Sequence, residues 1–121
     1  MAMTDTLANK VLNHLVGTTF DPGALHLGLM TDSTTEVPAS GAYARVDLSG
    51  KVTVTTDTLT LNTDIAFPQA TADWGLITHI GIFSAATNGD MYFVGATSSV
   101  RSVSTGDTYN ILADNLTLQL T

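Results

Sequence analysis

The sequence of 121 residues contains no cysteine, which excludes disulfides and thiolate metal sites as the means of stabilising the fold. Charged residues are also scarce, because they make up 12% of the chain, about half the share found in ordinary soluble domains. No stretch is apolar over the roughly 18 residues that a membrane-spanning helix needs. Residues 1–16 lack the basic segment, apolar run and cleavage site of a signal peptide, so we expect use in a cytoplasm or release by lysis.

The few charges that are present are mostly negative. The net charge is −7 and the isoelectric point is about 4.3. The basic side chains are scattered along the chain, at Lys10, Arg45, Lys51 and Arg101. Such dispersed cations cannot neutralise a phosphate backbone, and they offer no basic patch to an anionic membrane. The composition therefore argues against nucleic acids and membranes as partners.

Threonine takes the place of charge in this composition, since the chain has 21 Thr and 8 Ser. The branched Cβ of Thr suits a strand, while its hydroxyl can face water. A weakly charged, Thr-rich surface is typical of proteins that neighbouring subunits cover. A secreted β-sandwich has a similar composition, so this observation alone does not choose between the two.

The N-terminal segment predicts one short helix within residues 1–17. Thr4 or Asp5 can cap its start, and Gly17 can end it. Between them, apolar residues recur at helical spacing at Leu7, Val11, Leu12 and Leu15. The resulting apolar stripe is narrow, which suits a helix that lies on a sheet or on a neighbouring subunit.

From Ala24 onward the apolar period changes to two, which indicates strands. The predicted strands are residues 24–30, 43–48, 51–56, 58–61, 65–67, 76–83, 91–96, 101–103, 109–112 and 116–120. The run 76–83 is the strongest apolar run of the sequence and does not alternate cleanly with polar residues, which predicts a central strand buried on both faces. Asn88-Gly89 predicts a type I′ hairpin turn. We therefore predict a single domain over residues 1–121, an all-β antiparallel sandwich or jelly-roll of about eight strands with one N-terminal helix.

No pattern in the sequence indicates catalysis, a metal or a cofactor. His26 and His79 both fall in predicted strands and could meet at a metal, but a lone strand histidine is more often structural. No Ser lies in a G-x-S-x-G context, as a nucleophile elbow requires. The Asp residues fall mostly at turns, where they bond their own backbone, and Glu36 is the single Glu. We therefore expect no enzyme.

Two aromatic residues allow a binding interpretation. Trp74 and Tyr43 could form a platform on which sugars stack, as in many β-sandwich modules. The alternative is that Trp74 fills the core or a subunit contact, and we favour that alternative. Exposure of the indole distinguishes the two, because a sugar cannot stack on a buried ring.

Eight short segments stand out in a fixed order along the chain: 7–15 (LANKVLNHL), 24–31 (ALHLGLMT), 36–37 (EV), 41–46 (GAYARV), 67–75 (FPQATADWG), 78–86 (THIGIFSAA), 88–89 (NG) and 104–108 (STGDT). Together they resemble a family of small proteins of tailed bacteriophages, commonly labelled phage tail fibre or virion structural proteins. Residues 47–64 depart from the pattern and could carry what is particular to this chain.

The resemblance implies a structural subunit of a tailed-phage virion that is made in the host bacterial cytoplasm. We expect homo-oligomers and contacts with other virion proteins, either the major capsid protein or tail and baseplate proteins. A tail-fibre component and a capsid decoration protein both remain open. Since so few charges protect the strand edges, we expect partners to cover them. The predicted contact residues are Leu7, Val11, Leu15, Tyr43 and Trp74. A glycan-binding tail module and a small hydrolase are the alternatives.

Overall fold

The computed structural model describes residues 2–20, 23–55, 58–113 and 117–119. Within these ranges the elements are, in chain order, β1 (Ala2–Met3), α1 (Asp5–Leu15), β2 (His26–Met30), β3 (Val46–Asp47), β4 (Val52–Thr55), β5 (Thr58–Leu61), β6 (Ile65–Ala66), β7 (Gly75–Phe83), β8 (Met91–Val103), β9 (Asn110–Ile111) and β10 (Thr117–Gln119). The predicted all-β fold with one N-terminal helix is confirmed.

The strands form three sheets in which every neighbouring pair is antiparallel. The largest sheet has five strands in the order β1-β8-β7-β2-β3, and the others have the orders β10-β5-β4 and β6-β9. Side chains from all three sheets meet in one hydrophobic core, which includes Leu29, Leu61, Ile82 and Ile111. The extent of the domain, residues 1–121, stays a prediction.

Strand β7 lies in the middle of the five-stranded sheet, between β8 and β2. Its residues from Ile80 to Phe83 are all buried, so side chains on both faces of this part of the strand are covered. The predicted central position of this strand is confirmed, and burial on both faces holds for residues 80–83, whereas Leu76 near its start is 52% exposed.

The hairpin between β7 and β8 is present, but its connection is longer than a two-residue turn. Asn88 and Gly89 both have positive φ, of 55° and 71°, as a type I′ turn requires. The turn sits inside a loop that Ser84 and Asp90 close, since the Ser84 N–H donates to the Asp90 carbonyl at 2.9 Å. Asn-Gly marks the turn without fixing the length of the loop.

Strand β8 is continuous over Met91–Val103, whereas the sequence predicted two pieces. The residues between the pieces form a large bulge. Ile77 pairs with Arg101 and His79 pairs with Ala96, so a two-residue step on β7 faces a five-residue step on β8. The bulge breaks the alternation of apolar and polar residues, which is why the strand appears interrupted in the sequence.

Other predicted strands differ from the structure at their ends. Residues 43–48 contain only the two-residue β3, because the Tyr43 N–H donates to the Ser40 carbonyl at 3.1 Å and so closes a turn through the left-handed Gly41 and Ala42. The predicted strands 51–56 and 116–120 contain β4 and β10, and Thr56, Leu116 and Leu120 lie outside the described residues.

Helix α1 begins where the sequence predicts and packs on β8. The Thr4 hydroxyl accepts the Leu7 N–H at 3.3 Å and donates to the Met91 carbonyl at 2.6 Å. One side chain therefore both caps the helix and ties it to the sheet. Val16 follows the last helical residue, and Gly17 leaves the helix with a φ of 105°.

Replacing Thr4 with Ala removes both bonds, and we expect the free energy of unfolding to fall by about 1–2 kcal/mol. Urea denaturation followed by circular dichroism measures the loss. Thr4→Ser keeps the hydroxyl and is the matched control. A Thr4→Ala protein as stable as the parent would show that neither bond stabilises the fold.

Candidate functional site

The three predicted contact residues on α1 differ widely in exposure. Leu7 is 7% exposed and lies against the chain's own sheet, and Val11 is half-buried. Leu15 is 74% exposed. Of the three, only Leu15 therefore offers its whole side chain to another molecule, and the part that Leu7 plays in an interface stays a prediction.

The last turn of α1 carries further apolar surface that the sequence did not single out as a contact. Leu12 is 61% exposed and Val16 is 82% exposed. With Leu15 they stand at helical spacings of three and four residues and share one face. We call Leu12, Leu15 and Val16 the α1-end patch. The stripe continues from Leu7, but the sheet beneath the helix covers only its beginning.

The two predicted aromatic contacts lie inside the chain's own core. Tyr43 and Trp74 are 8% and 5% exposed, and their rings pack edge to face with centroids 5.3 Å apart. The Trp74 indole N–H donates to the Gly41 carbonyl at 2.9 Å. The buried indole removes the platform on which the glycan interpretation depended. Whether the loops around these rings contact other chains stays a prediction.

A group of polar side chains with several hydrogen bonds surrounds Tyr43. The guanidinium of Arg45 donates from Nε and Nη2 to the two carboxylate oxygens of Glu36, at 2.8 and 2.7 Å. The Tyr43 hydroxyl donates to Glu36 Oε2 at 2.5 Å and accepts the Leu29 N–H at 3.0 Å. Arg45 and Glu36 are 8% and 23% exposed. This is the paired, fully bonded arrangement that burial of charge requires.

Arg45 also reaches the hairpin loop between β7 and β8. Its Nη1 donates to the carbonyls of Ala85 and Asn88, at 2.7 and 2.8 Å. The guanidinium carbon lies 3.7 Å from the centre of the Phe83 ring, a cation–π contact. We call Glu36, Tyr43, Arg45 and Phe83 the Glu36–Arg45 clamp, because together they hold two loops of the fold against one another.

The pKa values of the clamp follow from these contacts. Burial alone would raise the pKa of Glu36, but the hydrogen bonds from Arg45 and Tyr43 outweigh burial and lower it below its ordinary value. Burial, followed by the neighbouring Glu36 carboxylate, raises the pKa of Tyr43 far above its ordinary value. Glu36 is therefore held ionised and Tyr43 neutral, which suits a permanent ion pair rather than proton transfer.

The clamp requires glycine on the strand beneath it. A Cβ on Gly28 would lie 2.7 Å from a Phe83 ring carbon, 2.9 Å from the Glu36 carboxylate and 3.0 Å from the Tyr43 hydroxyl. Gly28 pairs with Gly81 on β7, where a Cβ would also meet the Phe83 ring, at 2.9 Å. The two glycines leave the space in which the ring and the carboxylate lie.

The histidines considered as metal ligands do not meet. Met30, not His26, pairs with His79, so the two histidines stand toward opposite ends of β2. Among the described residues, no group of three or more His, Cys, Asp or Glu side chains could share a metal ion.

A groove of about 580 Å³ runs between β8 and the segment 108–112. Its polar lining is mainly hydroxyls and an amide, with Arg101 as the charged side chain. Among the described residues that line it, there is no His, Asp or Glu. In the described part of the chain, no helix has the length and apolarity to span a bilayer.

Comparison with known proteins gives one family. A family model described as "Podophage GP4 fiber I protein gp80" matches residues 2–119. The match includes residues 47–64, the segment that departs from the resemblance drawn from the sequence. Among curated proteins, none matches this chain.

We expect Arg45→Met to lower the free energy of unfolding by about 2–4 kcal/mol near pH 7, because it leaves the Glu36 carboxylate half-buried without its cation. Arg101→Met, at an exposed position, is the matched control and should change stability by less than about 0.5 kcal/mol.

The same clamp predicts a pH dependence. Since the folded-state pKa of Glu36 lies below its unfolded value, its contribution is present above the unfolded pKa and is lost as the pH falls through the folded pKa. Urea midpoints should therefore fall more steeply with acidification in the parent than in Glu36→Gln. Parallel curves for the two proteins would contradict the assignment.

Proposed function

Because the chain belongs to the podophage GP4 fiber I protein gp80 family, it is a phage structural protein of the tail-fibre type, and we propose that it works by self-association and by contacts with other virion proteins. The family match supports a place in the virion. In this proposal the chain has no catalytic role, and assembly is its whole activity.

The observation that carries the proposal is the exposed α1-end patch. Leu12, Leu15 and Val16 are 61%, 74% and 82% exposed. Full burial of one such side chain contributes about 1.5–3 kcal/mol, so a neighbour that covers all of them gains a substantial driving force. A contiguous apolar patch of this kind usually marks an interaction site.

The scarcity of charge supports the same proposal. Charged residues are 12% of the chain, and Glu36 and Arg45, whose side chains are 23% and 8% exposed, are used in the clamp. Among the described residues, exposed Thr and Ser side chains outnumber exposed charged ones. Such a surface desolvates at low cost when subunits pack together, since few ions have to lose their water.

The tail-fibre location and the capsid-decoration alternative differ in stoichiometry. Quantitative mass spectrometry of purified particles, with the major capsid protein as reference, should find a few to a few dozen copies per particle, as a tail component of low symmetry requires. A count in the hundreds would place the protein on the head and overturn the fibre location. The virion role itself is overturned if purified particles do not contain the chain.

We expect Leu15→Gln to weaken self-association or particle binding at least about tenfold, because it removes the most protruding leucine of the patch. Leu112→Gln, at a leucine that is 55% exposed elsewhere on the surface, is the matched control. Both replacements should leave the urea midpoint nearly unchanged, since both sites are exposed.

Sedimentation equilibrium and a pull-down with purified particles give the two readouts. Equal association by the parent, Leu15→Gln and Leu112→Gln would remove the α1-end patch from the proposal. A parent protein that stays monomeric at micromolar concentration and does not bind particles would overturn the proposal as a whole.

A further inference from the structure

Among the described residues, strand β4 is one of the two edges of the three-stranded sheet. The order of that sheet is β10-β5-β4, so β4 pairs with β5 on one side only. The register joins Val52 to Leu61 and Thr55 to Thr58. Val52 and Leu61 lie at the core end of the hairpin, where Leu61 is fully buried and Val52 packs on the core. Val54, nearer the tip, is 67% exposed.

The direction of the backbone groups on β4 follows from the ladder. The Asn62 N–H donates to the Lys51 carbonyl at 2.9 Å, which makes Lys51 a residue that bonds toward β5. Residues along an antiparallel strand bond alternately to either side. Thr53 and Thr55 therefore also bond toward β5, and Val52 and Val54 direct their N–H and C=O groups outward. Within the described part of the chain, no backbone group of another strand meets them.

This edge carries neither of two common side-chain protections against strand addition, charge and proline. Natural sheets place charges, proline or a covering element on their outer strands. Residues 52–55 read Val-Thr-Val-Thr, with β-branched side chains throughout and neither charge nor proline. An exposed strand of this composition is a ready template for another strand.

Building on the proposed self-association, we propose that β4 pairs antiparallel with β4 of a second copy of this chain, about a twofold axis at Thr53. In this register Val52 lies opposite Val54 of the second copy, and Val54 lies opposite Val52 of that copy. Thr53 faces Thr53 across the axis. The two three-stranded sheets then form one six-stranded sheet.

The pattern of outward backbone groups on β4 fits pairing with β4 of a second copy. Val52 and Val54 each have one outward N–H and one outward C=O. In the proposed register the Val52–Val54 pairs are hydrogen-bonded pairs on both sides of the axis, so all the outward groups of both copies find partners. A shift of one residue would place inward-bonding residues opposite outward-bonding ones. The unpaired groups of the edge are thus complementary to themselves.

Charge also favours a second copy. Each chain carries a net charge of −7, so most approaches between two copies bring like charges together. Residues 52–55 carry no charge that could be repelled by the second copy. The adjacent charge, Lys51, would face Thr55 of the second copy. The edge is therefore a place where two acidic copies can meet without direct repulsion.

We call the proposed β4–β4 pairing the seam. It is short, and its length limits how strongly it can hold two copies together by itself. A strand of four residues buries far less than the roughly 800 Å² per partner of a stable complex. The pairing therefore sets the register between copies, while a further contact, or the high local concentration inside a particle, supplies strength.

The absence of cysteine makes the test direct, because one introduced cysteine is the only thiol in the chain. In the proposed pairing the two Thr53 positions form a non-hydrogen-bonded pair, with Cβ atoms about 4.5–5.5 Å apart. That is close to disulfide geometry. Thr55, on the same face of the same strand, is separated from its own counterpart by about 14 Å, four residues at 3.4 Å each.

We expect full-length Thr53→Cys to form a covalent dimer under mild oxidation at least about tenfold faster than Thr55→Cys, because the seam raises the effective concentration of one thiol at the other. Non-reducing gels and intact mass measure the rate. Val54→Pro in the Thr53→Cys background removes an outward N–H and leaves the bonds to β5 intact, and it should abolish the difference.

Failure of the seam and failure of the proposed function are distinguishable through the parent protein. If the parent self-associates but Thr53→Cys crosslinks no faster than Thr55→Cys, the seam is wrong and self-association proceeds elsewhere. If Val54→Pro does not change the crosslinking of Thr53→Cys, the seam is also wrong. If the parent neither self-associates nor binds particles, the proposed function fails and the seam fails with it.

Discussion

The pairing of Arg45 with Glu36 is the interaction on which the arrangement of the loops depends. One edge of the Arg45 guanidinium donates to the Glu36 carboxylate, and Nη1 donates to two loop carbonyls. The face of the guanidinium lies over the Phe83 ring. A buried ion pair costs desolvation, which only complete bonding offsets. That completeness imposes glycine at position 28. The loop before β3 and the β7–β8 hairpin are thus held in one relative position.

The chain has few charged residues, and two of them, Glu36 and Arg45, are largely buried in the clamp. Fewer charges are therefore left for the surface. The described surface is rich in Thr and Ser hydroxyls, and it includes the α1-end patch and the edge of β4. The first is a set of exposed apolar side chains, and the second is a set of backbone groups that meet no other strand within the described residues. The two surfaces suit different partners. An apolar patch can pack against any complementary apolar shape, whereas a strand edge pairs only with another strand in register.

Much of the fold was predictable because it rests on local pattern. The helix follows from its cap and apolar spacing, β7 from the strongest apolar run of the sequence, and the hairpin from Asn88-Gly89. The clamp was not predictable in this way, since Glu36, Arg45 and Ala85 meet only through the pairing of β2 with β7. One signal was present: the single Glu of a chain poor in charge. The burial of Tyr43 and Trp74 likewise depends on contacts between distant segments.

The two open surfaces belong to different parts of the fold, and this bears on how the protein can assemble. Helix α1 lies against β8 of the five-stranded sheet, while β4 ends the three-stranded sheet. A chain that used one surface for both purposes would have to choose between its own copy and other virion proteins. With separate surfaces, a twofold seam at β4 leaves two α1-end patches free, one on each copy. Pairing then doubles the apolar contacts available to a neighbour, which strengthens attachment without any new residue.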